Sequence, residues 1–189
     1  MKISTKYSSS LSYFHTNAYR WDSFHDFYMG RCQCLTVDID TKIEKLYAAS
    51  GNAFTVLEFL GYHIIDDIQV DRNPQILEKF DKVILLHNEF VTKTEFDAIR
   101  NHPNVVYLYP NALSSEISAD YQSNTLTLLR GPGFPDEHIQ NAFDWNFDNT
   151  AEIDNWECKN WEFNKIDNGH MLDCYPEKLL IKDGFTLLY

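Results

Sequence analysis

No apolar stretch in this 189-residue sequence is long enough to cross a bilayer, and no cluster of Lys or Arg occurs along it. The first absence argues against a helical membrane span, which needs about 20 apolar residues in a row. The second accompanies 16 basic against 28 acidic residues, a formal net charge of −12. Such a chain repels phosphate backbones and anionic lipid, so neither nucleic acid nor a membrane is an expected partner. The glycine patterns that cradle phosphates or strain a nucleophile are missing as well. Gly131-Pro132-Gly133 is too short and stiff for a phosphate loop, and Ser114-Ser115 lacks the flanking glycines of an elbow. The seven histidines are scattered singly, with no His-x-x-x-His or Cys-x-x-Cys spacing, so no cofactor and no metal is expected.

Cysteine is also scarce: Cys32, Cys34, Cys158 and Cys174. Cys32 and Cys34 would share one face of a strand, where they could join the other two around a metal. The reading carried forward is instead four scattered, buried free thiols in a reducing cytosol. With no charged-then-apolar leader at its start, the chain is expected to be cytoplasmic.

What is present in quantity is aromatic: 13 Phe, 11 Tyr and 4 Trp. These side chains bury large areas, so the chain is expected to fold without a disulfide or metal staple. Its length suits a single domain over residues 1–189. Within it, residues 1–37 form an aromatic N-terminal segment, 38–129 a parallel core and 130–189 a C-terminal extension.

The core is the most readable part. Asp40 or Thr41 caps a helix through Leu46 and Leu57, which Gly51 interrupts and Gly61 ends. Tyr62 to Ile65 is a short strand, and Asn73-Pro74 starts a short helix. Val83-Ile84-Leu85-Leu86 is an uninterrupted apolar run, as in strands covered on both faces. Thr92 and Glu95 then make a capping box ahead of Phe96 and Ile99, and Val105 to Tyr109 is a second apolar strand. Strand, helix and strand at this spacing predict a crossover between parallel strands. A strand over Thr125 to Leu129 follows.

Outside the core, a helix over Asp22 to Met29 and a strand over Cys32 to Ile39 are expected, and a short helix over Pro135 to Phe143. Trp156 to Ile166 and His170 to Tyr175 flank Asp167-Asn168-Gly169, a hairpin signal for an antiparallel edge or flap. Gly184 reads as a further turn before a last strand ending at Tyr189. Of Trp145, Phe147, Trp156, Trp161 and Phe163, core packing is expected, with a carbohydrate-facing surface as the alternative.

In open α/β sheets, ligands gather beyond the carboxyl ends of the strands. Two such ends are legible, His87-Asn88-Glu89 and Tyr109-Pro110-Asn111. His87, Asn88, Glu89, Tyr109 and Asn111 are therefore the candidate ligand-binding residues. His87 and Glu89, with Glu177 or Asp173 as a second carboxylate, are the candidates for acid–base catalysis.

Residues 56–118, about a third of the chain, resemble the class I glutamine amidotransferase-like superfamily, especially its ThuA-like branch. The resemblance lies in Val56 to Tyr62, Leu77 to Leu85 and Thr92 to Ile99. It implies a flavodoxin-like, mainly parallel sheet, to which the C-terminal hairpin is added. It also implies that the place of the nucleophile elbow holds Tyr109-Pro110-Asn111-Ala112-Leu113. Cys174-Tyr175-Pro176-Glu177 then stands where the family has His-Pro-Glu, with Tyr175 in the histidine place. Nucleophile and base are both absent, so glutamine hydrolysis is not expected. The expected function is a non-catalytic small-ligand-binding or regulatory domain. The alternatives are a hydrolase or transferase of a small polar or sugar-like substrate, and a structural subunit of a homo-oligomer.

Overall fold

The computed structural model describes residues 6–9, 35–39, 51–149 and 157–186. In chain order the strands are β1 (Lys6–Ser9), β2 (Thr36–Asp38), β3 (His63–Asp66), β4 (Val83–Leu86), β5 (Phe90–Val91), β6 (Val105–Tyr107), β7 (Ser115–Asp120), β8 (Thr125–Arg130), β9 (Asn164–Ile166) and β10 (Gly169–Met171). The α-helices are α1 (Gly51–Phe59), α2 (Asp67–Arg72), α3 (Lys93–Asn101) and α4 (Glu177–Thr186), and a 3-10 helix spans Pro74–Lys79.

The apolar run Val83 to Leu86 is buried at every position because both of its faces are covered. Val83 and Leu85 join Val105, Tyr107 and Ile65 in a core with Val70, Leu77 and Ile99, from α2, the 3-10 helix and α3. Ile84 and Leu86 face the other way, with Leu108 and Leu172, onto Ala53 and Leu57 of α1 and Leu179 and Leu180 of α4. The alternation of side chains along a strand thus produces a helix–sheet–helix sandwich. Each fully buried Leu or Val contributes about 1.5–3 kcal/mol.

The main sheet has the order β3-β1-β4-β6-β10-β9. Its first five strands are mutually parallel, and β9 is an antiparallel edge beside β10. Numbered by their sequence in the chain, the parallel strands run 2-1-3-4-5. A second sheet, β2-β8-β7-β5, pairs antiparallel except for β5 with β7. It has its own core of Ile39, Phe90, Ile117, Leu126 and Leu128. Both β5 and β7 follow closely after the carboxyl ends of main-sheet strands, β4 and β6 respectively.

Local signals account for several boundaries. α1 ends with the Tyr62 N–H on the Leu57 carbonyl and the Gly61 N–H on that of Glu58, a Schellman closure that uses the φ of +81° at Gly61. α3 starts with the expected box: the Glu95 N–H donates to Thr92 Oγ1 at 3.2 Å, and the Thr92 N–H to Glu95 Oε2 at 2.7 Å. α2 begins with a second box, between Asp66 and Gln69. The Asp167-Asn168 turn is pinned to the end of α3, where Arg100 donates to Asp167 Oδ1 at 2.8 Å and to Asn168 Oδ1 at 2.7 Å.

Several expectations change. The parallel sheet takes β1 and β10 from outside residues 38–129, whereas β7 and β8, inside that range, form an antiparallel pair in the second sheet. β10 is no flap, because it pairs parallel to β6 inside the main sheet. No helix forms over Pro135 to Phe143. There Asp136 Oδ1 accepts the His138 N–H at 2.9 Å, while Asn141 Oδ1 accepts those of Phe143 and Trp145 at 3.1 and 2.9 Å. Such side-chain acceptors replace the carbonyls a helix would use. Gly184 makes no turn; it lies within α4, whose apolar side packs onto α1, and the helix runs through the start of the expected last strand. Cys158 and Cys174 are not free thiols but a disulfide, with Cα atoms 5.1 Å apart. Trp145 belongs to the core, as expected, but Trp161 is exposed. The expected Asp22–Met29 helix, Cys32, Cys34, Trp156 and the helix before Gly51 lie outside the described residues.

Candidate functional site

β4 stops because the backbone turns out of the sheet at His87, whose φ is +41°. The next peptide units join the second sheet: the Leu113 N–H donates to the Asn88 carbonyl at 2.7 Å, and the Ser115 N–H to that of Glu89 at 2.9 Å. The chain after β6 turns in a similar way, with φ of +62° at Asn111 and +59° at Leu113. Non-glycine residues rarely occupy this left-handed region, and Asn tolerates it best. Two strained turns therefore stand side by side, since β4 and β6 are neighbours.

Between them lies a buried cluster. The His87 ring stacks on Tyr109 with centroids 5.6 Å apart and planes 27° from parallel, and it meets the Tyr175 ring edge-on at 5.6 Å. Tyr109 and Tyr175 are themselves edge to face at 6.0 Å. Tyr175 is brought in by the segment after β10, which the Cys158–Cys174 disulfide and the Cys158 N–H bond to the Tyr175 carbonyl at 3.0 Å hold down. Two residues later the chain enters α4 at Glu177, which is only 1% exposed. Burial lifts the Glu177 carboxyl to about 7, against the opposing pull of its own backbone N–H and of the Tyr109 hydroxyl. Neither carboxyl oxygen makes a hydrogen bond of ordinary geometry. Leaving a buried carboxyl so poorly partnered favours its neutral form.

Of the sequence candidates, His87, Tyr109 and Glu177 are thus joined by contacts, and Tyr175 completes the group. The others separate. Glu89 is half-buried, and burial alone lifts its carboxyl to about 7; the ring contacts that link the cluster do not include it. Asn111 supplies the turn, with a buried Oδ1 that accepts no hydrogen bond. Asp173 faces β9 instead, with its Oδ2 3.4 Å from the Asn164 amide nitrogen. Asn88 donates from Nδ2 to Asp67 and so belongs to a second polar group.

Of that second group the sequence singles out Asn88 as a candidate and Thr92 and Glu95 as a helix cap, but not Asp67, Asp71 or Tyr121. Asp67 and Glu95 are both buried, Thr92 Oγ1 donates to Asp71, and the Tyr121 hydroxyl donates to Asp71 Oδ2 at 2.7 Å. Burial, followed by the charge of Asp67, raises the Glu95 carboxyl well above its ordinary range. The available signal was Asp66-Asp67 at the end of β3, a third strand end by the same rule that found His87. Asn149 was also missed: its Nδ2 bridges the ends of β6 and β10, to the carbonyls of Tyr109 at 3.3 Å and Leu172 at 2.8 Å.

Among the described residues, no group of three or more His, Cys, Asp and Glu side chains is placed to hold a metal ion. No helix among them is long and apolar enough to cross a membrane. A cavity of about 570 Å³ lies at the opposite end of the sheet, between the 3-10 helix and α3, lined by Leu77, Phe80, Ala98 and His102 among others. His102 is already occupied there: its Nε2 is 2.8 Å from the Phe80 carbonyl oxygen, and its Nδ1 accepts the Asn104 N–H. The strand-end cluster, with a carboxyl that titrates near neutrality, is chemically the more capable place. In comparisons with known proteins, no family model matches the sequence and none of the curated proteins does.

Proposed function

We propose that this chain is a small-ligand-binding or regulatory domain on a flavodoxin-like sheet, with its ligand at the carboxyl ends of β4 and β6. The observation that carries the reading is the convergence of His87, Tyr109, Tyr175 and Glu177 in one buried cluster at those ends. The strand order supports it. In flavodoxin-like sheets the order 2-1-3-4-5 puts the switch point between the first and third strands. Here those strands are β1 and β4, and His87 and Asn88 directly follow β4. Glu177 offers a protonated carboxyl below about pH 7, so the favoured ligand is small and polar, with a carbonyl or carboxylate to accept that proton's hydrogen bond.

The resemblance to amidotransferase-like proteins fits this reading only without their chemistry. In that resemblance the elbow's place falls on Tyr109 to Leu113, which holds no cysteine and includes the left-handed turn at Asn111, and Tyr175 takes the place of the base. The Cys158–Cys174 disulfide favours an oxidising compartment over the cytoplasm, since reducing cytosol opens most such bonds.

Thermal-shift screening of small polar metabolites tests the proposal, repeated on His87→Ala and Asn111→Ala. A ligand that raises Tm for the parent chain and not for His87→Ala supports it. A screen without ligands, or with ligands indifferent to both changes, refutes it. One observation favours catalysis as a second reading: Glu89 and Glu177 are both held near 7, where a carboxyl serves as either acid or base. Turnover of a small polar or sugar-like substrate that disappears in Glu177→Gln would select that reading.

A further inference from the structure

The corner between β10 and α4, residues 172–176, carries Tyr175 into the strand-end cluster with no helix or strand of its own. Its two ends are anchored independently. Before it, the Leu172 N–H donates to the Tyr107 carbonyl at 2.9 Å, and the Leu172 carbonyl accepts from Asn149 Nδ2 at 2.8 Å. After it, Leu179 and Leu180 of α4 bury in the core. Between these anchors, three ties run to the short segment at Glu157 and Cys158. The disulfide joins Cys174 to Cys158, the Cys158 N–H donates to the Tyr175 carbonyl at 3.0 Å, and Lys178 Nζ pairs with Glu157 Oε2 at 2.6 Å. The Lys178 pair is exposed, and exposed pairs hold little. The covalent tie is therefore the strongest of the three.

Opposed tendencies meet in this corner. Tyr175 is 5% exposed and its ring meets those of His87 and Tyr109, so burial draws the corner in. Glu177 pulls the other way, because its buried carboxyl oxygens lack a hydrogen bond of ordinary geometry and water would satisfy them outside. The disulfide decides between the two, since a bond across a sequence separation of 16 denies the corner its freedom to swing away. From this arrangement we infer that the Cys158–Cys174 bond is a redox latch on the strand-end site. Closed, it holds Tyr175 and Glu177 against His87 and Tyr109; opened by a dithiol, it releases the corner while both sheets persist. As a regulator of ligand binding the latch rests on the function proposed above, whereas its movement is a property of the chain alone. Cys174 is the more exposed partner, which makes its sulfur the point of attack. A thiolate of the dithiol bonds to Cys174 Sγ and displaces the Cys158 thiolate, which takes up a proton. The second dithiol sulfur then closes a ring disulfide and releases Cys174, also protonated. Two electrons and two protons thus pass from the dithiol to the protein.

The test compares the full chain oxidised, reduced with dithiothreitol, and as a Cys158→Ser/Cys174→Ser variant, by NMR and amide hydrogen exchange. On reduction, the NOE contacts of the Tyr175 ring with His87 and Tyr109 disappear. Exchange at residues 173–175 and 177 quickens about tenfold or more, whereas Val83–Leu86 and Val105–Tyr107 stay within about threefold. The Glu177 carboxyl resonance, assigned with Glu177→Gln, titrates near 7 in the oxidised chain and falls toward 4.5 in the reduced one. The double Ser variant behaves like the reduced chain and does not respond to dithiothreitol. Oxidised glutathione returns the reduced parent to its first state. Three results overturn the inference: ring contacts and Glu177 titration unchanged by reduction, exchange rising equally through β4 and β6, or dithiothreitol acting alike on the double Ser variant. None of these readouts uses a ligand, so a ligand screen that fails on the oxidised chain refutes the proposed function alone.

Discussion

Replacing Glu177 by Gln should make the protein more stable in mild alkali while leaving it nearly unchanged in mild acid. Burial raises this carboxyl from the ordinary 4.5 to about 7, so the folded chain holds the proton more tightly than the unfolded chain does. Stability linked to that proton is fully present below about pH 4.5 and is lost as pH rises through about 7. At about 1.4 kcal/mol per pH unit, the full loss is about 3 kcal/mol. A glutamine is neutral throughout and escapes it. Between pH 5 and 8.5 the stability difference between variant and parent should therefore swing by roughly 2 to 3 kcal/mol toward the variant. For a chain of this length that corresponds to about 5–10 °C in Tm. Paired urea melts at the two pH values measure it. Taking the difference between variant and parent cancels the titration of Glu89 and Glu95, which are also raised by burial. A difference that stays constant with pH would refute the burial argument, and with it the acid–base capacity assigned to the cluster.

Four further outcomes follow from the fold. Opening the Cys158–Cys174 bond, by dithiothreitol or by a double Ser variant, releases the loop it closes in the unfolded chain and should lower stability by about 3 kcal/mol in urea melts. Thr92→Ala removes both the hydroxyl that caps α3 and its hydrogen bond to Asp71, and should cost about 2–3 kcal/mol in urea melts. Gly169→Ala would place a Cβ 1.8 Å from the Val105 carbonyl oxygen, so circular dichroism should find the variant largely unfolded. Gly61→Ala meets no neighbouring atom and strains only the backbone at φ +81°, so its melt should shift by about 1 kcal/mol.

The contrast between legible and illegible parts of the chain follows sequence distance. Val83 to Leu86, the Thr92–Glu95 box, the stop at Gly61 and the Asp167-Asn168 turn are each decided by neighbours along the chain, and each stands where expected. The pairing of β1 with β3 and β4 is decided by residues far away, as is the second sheet. Gly184 misled because a glycine inside a helix costs about 1 kcal/mol in isolation, a cost outweighed when Leu179 and Leu180 bury against α1. At the site, the strand-end rule located His87 and Tyr109 from local apolar runs. It did not place Glu177 beside them, because that contact depends on the disulfide-tied corner between β10 and α4. Tyr175 is drawn in through the same corner.

The placement of β10 also has a kinetic consequence. Its partner β6 pairs Val105 with Gly169, so most of the second sheet and the loop carrying Trp145 intervene between the two. Closing so long a connection is slow compared with forming a local hairpin. During folding, β6 therefore presents its apolar edge, Val105 to Tyr107, before its last parallel neighbour arrives. The charged, antiparallel β9, with Lys165 outward, becomes the sheet's border only when that final hairpin docks. Chains cut short before Asn164 would retain the bare β6 edge and should self-associate, because an uncovered strand recruits another chain as readily as its own.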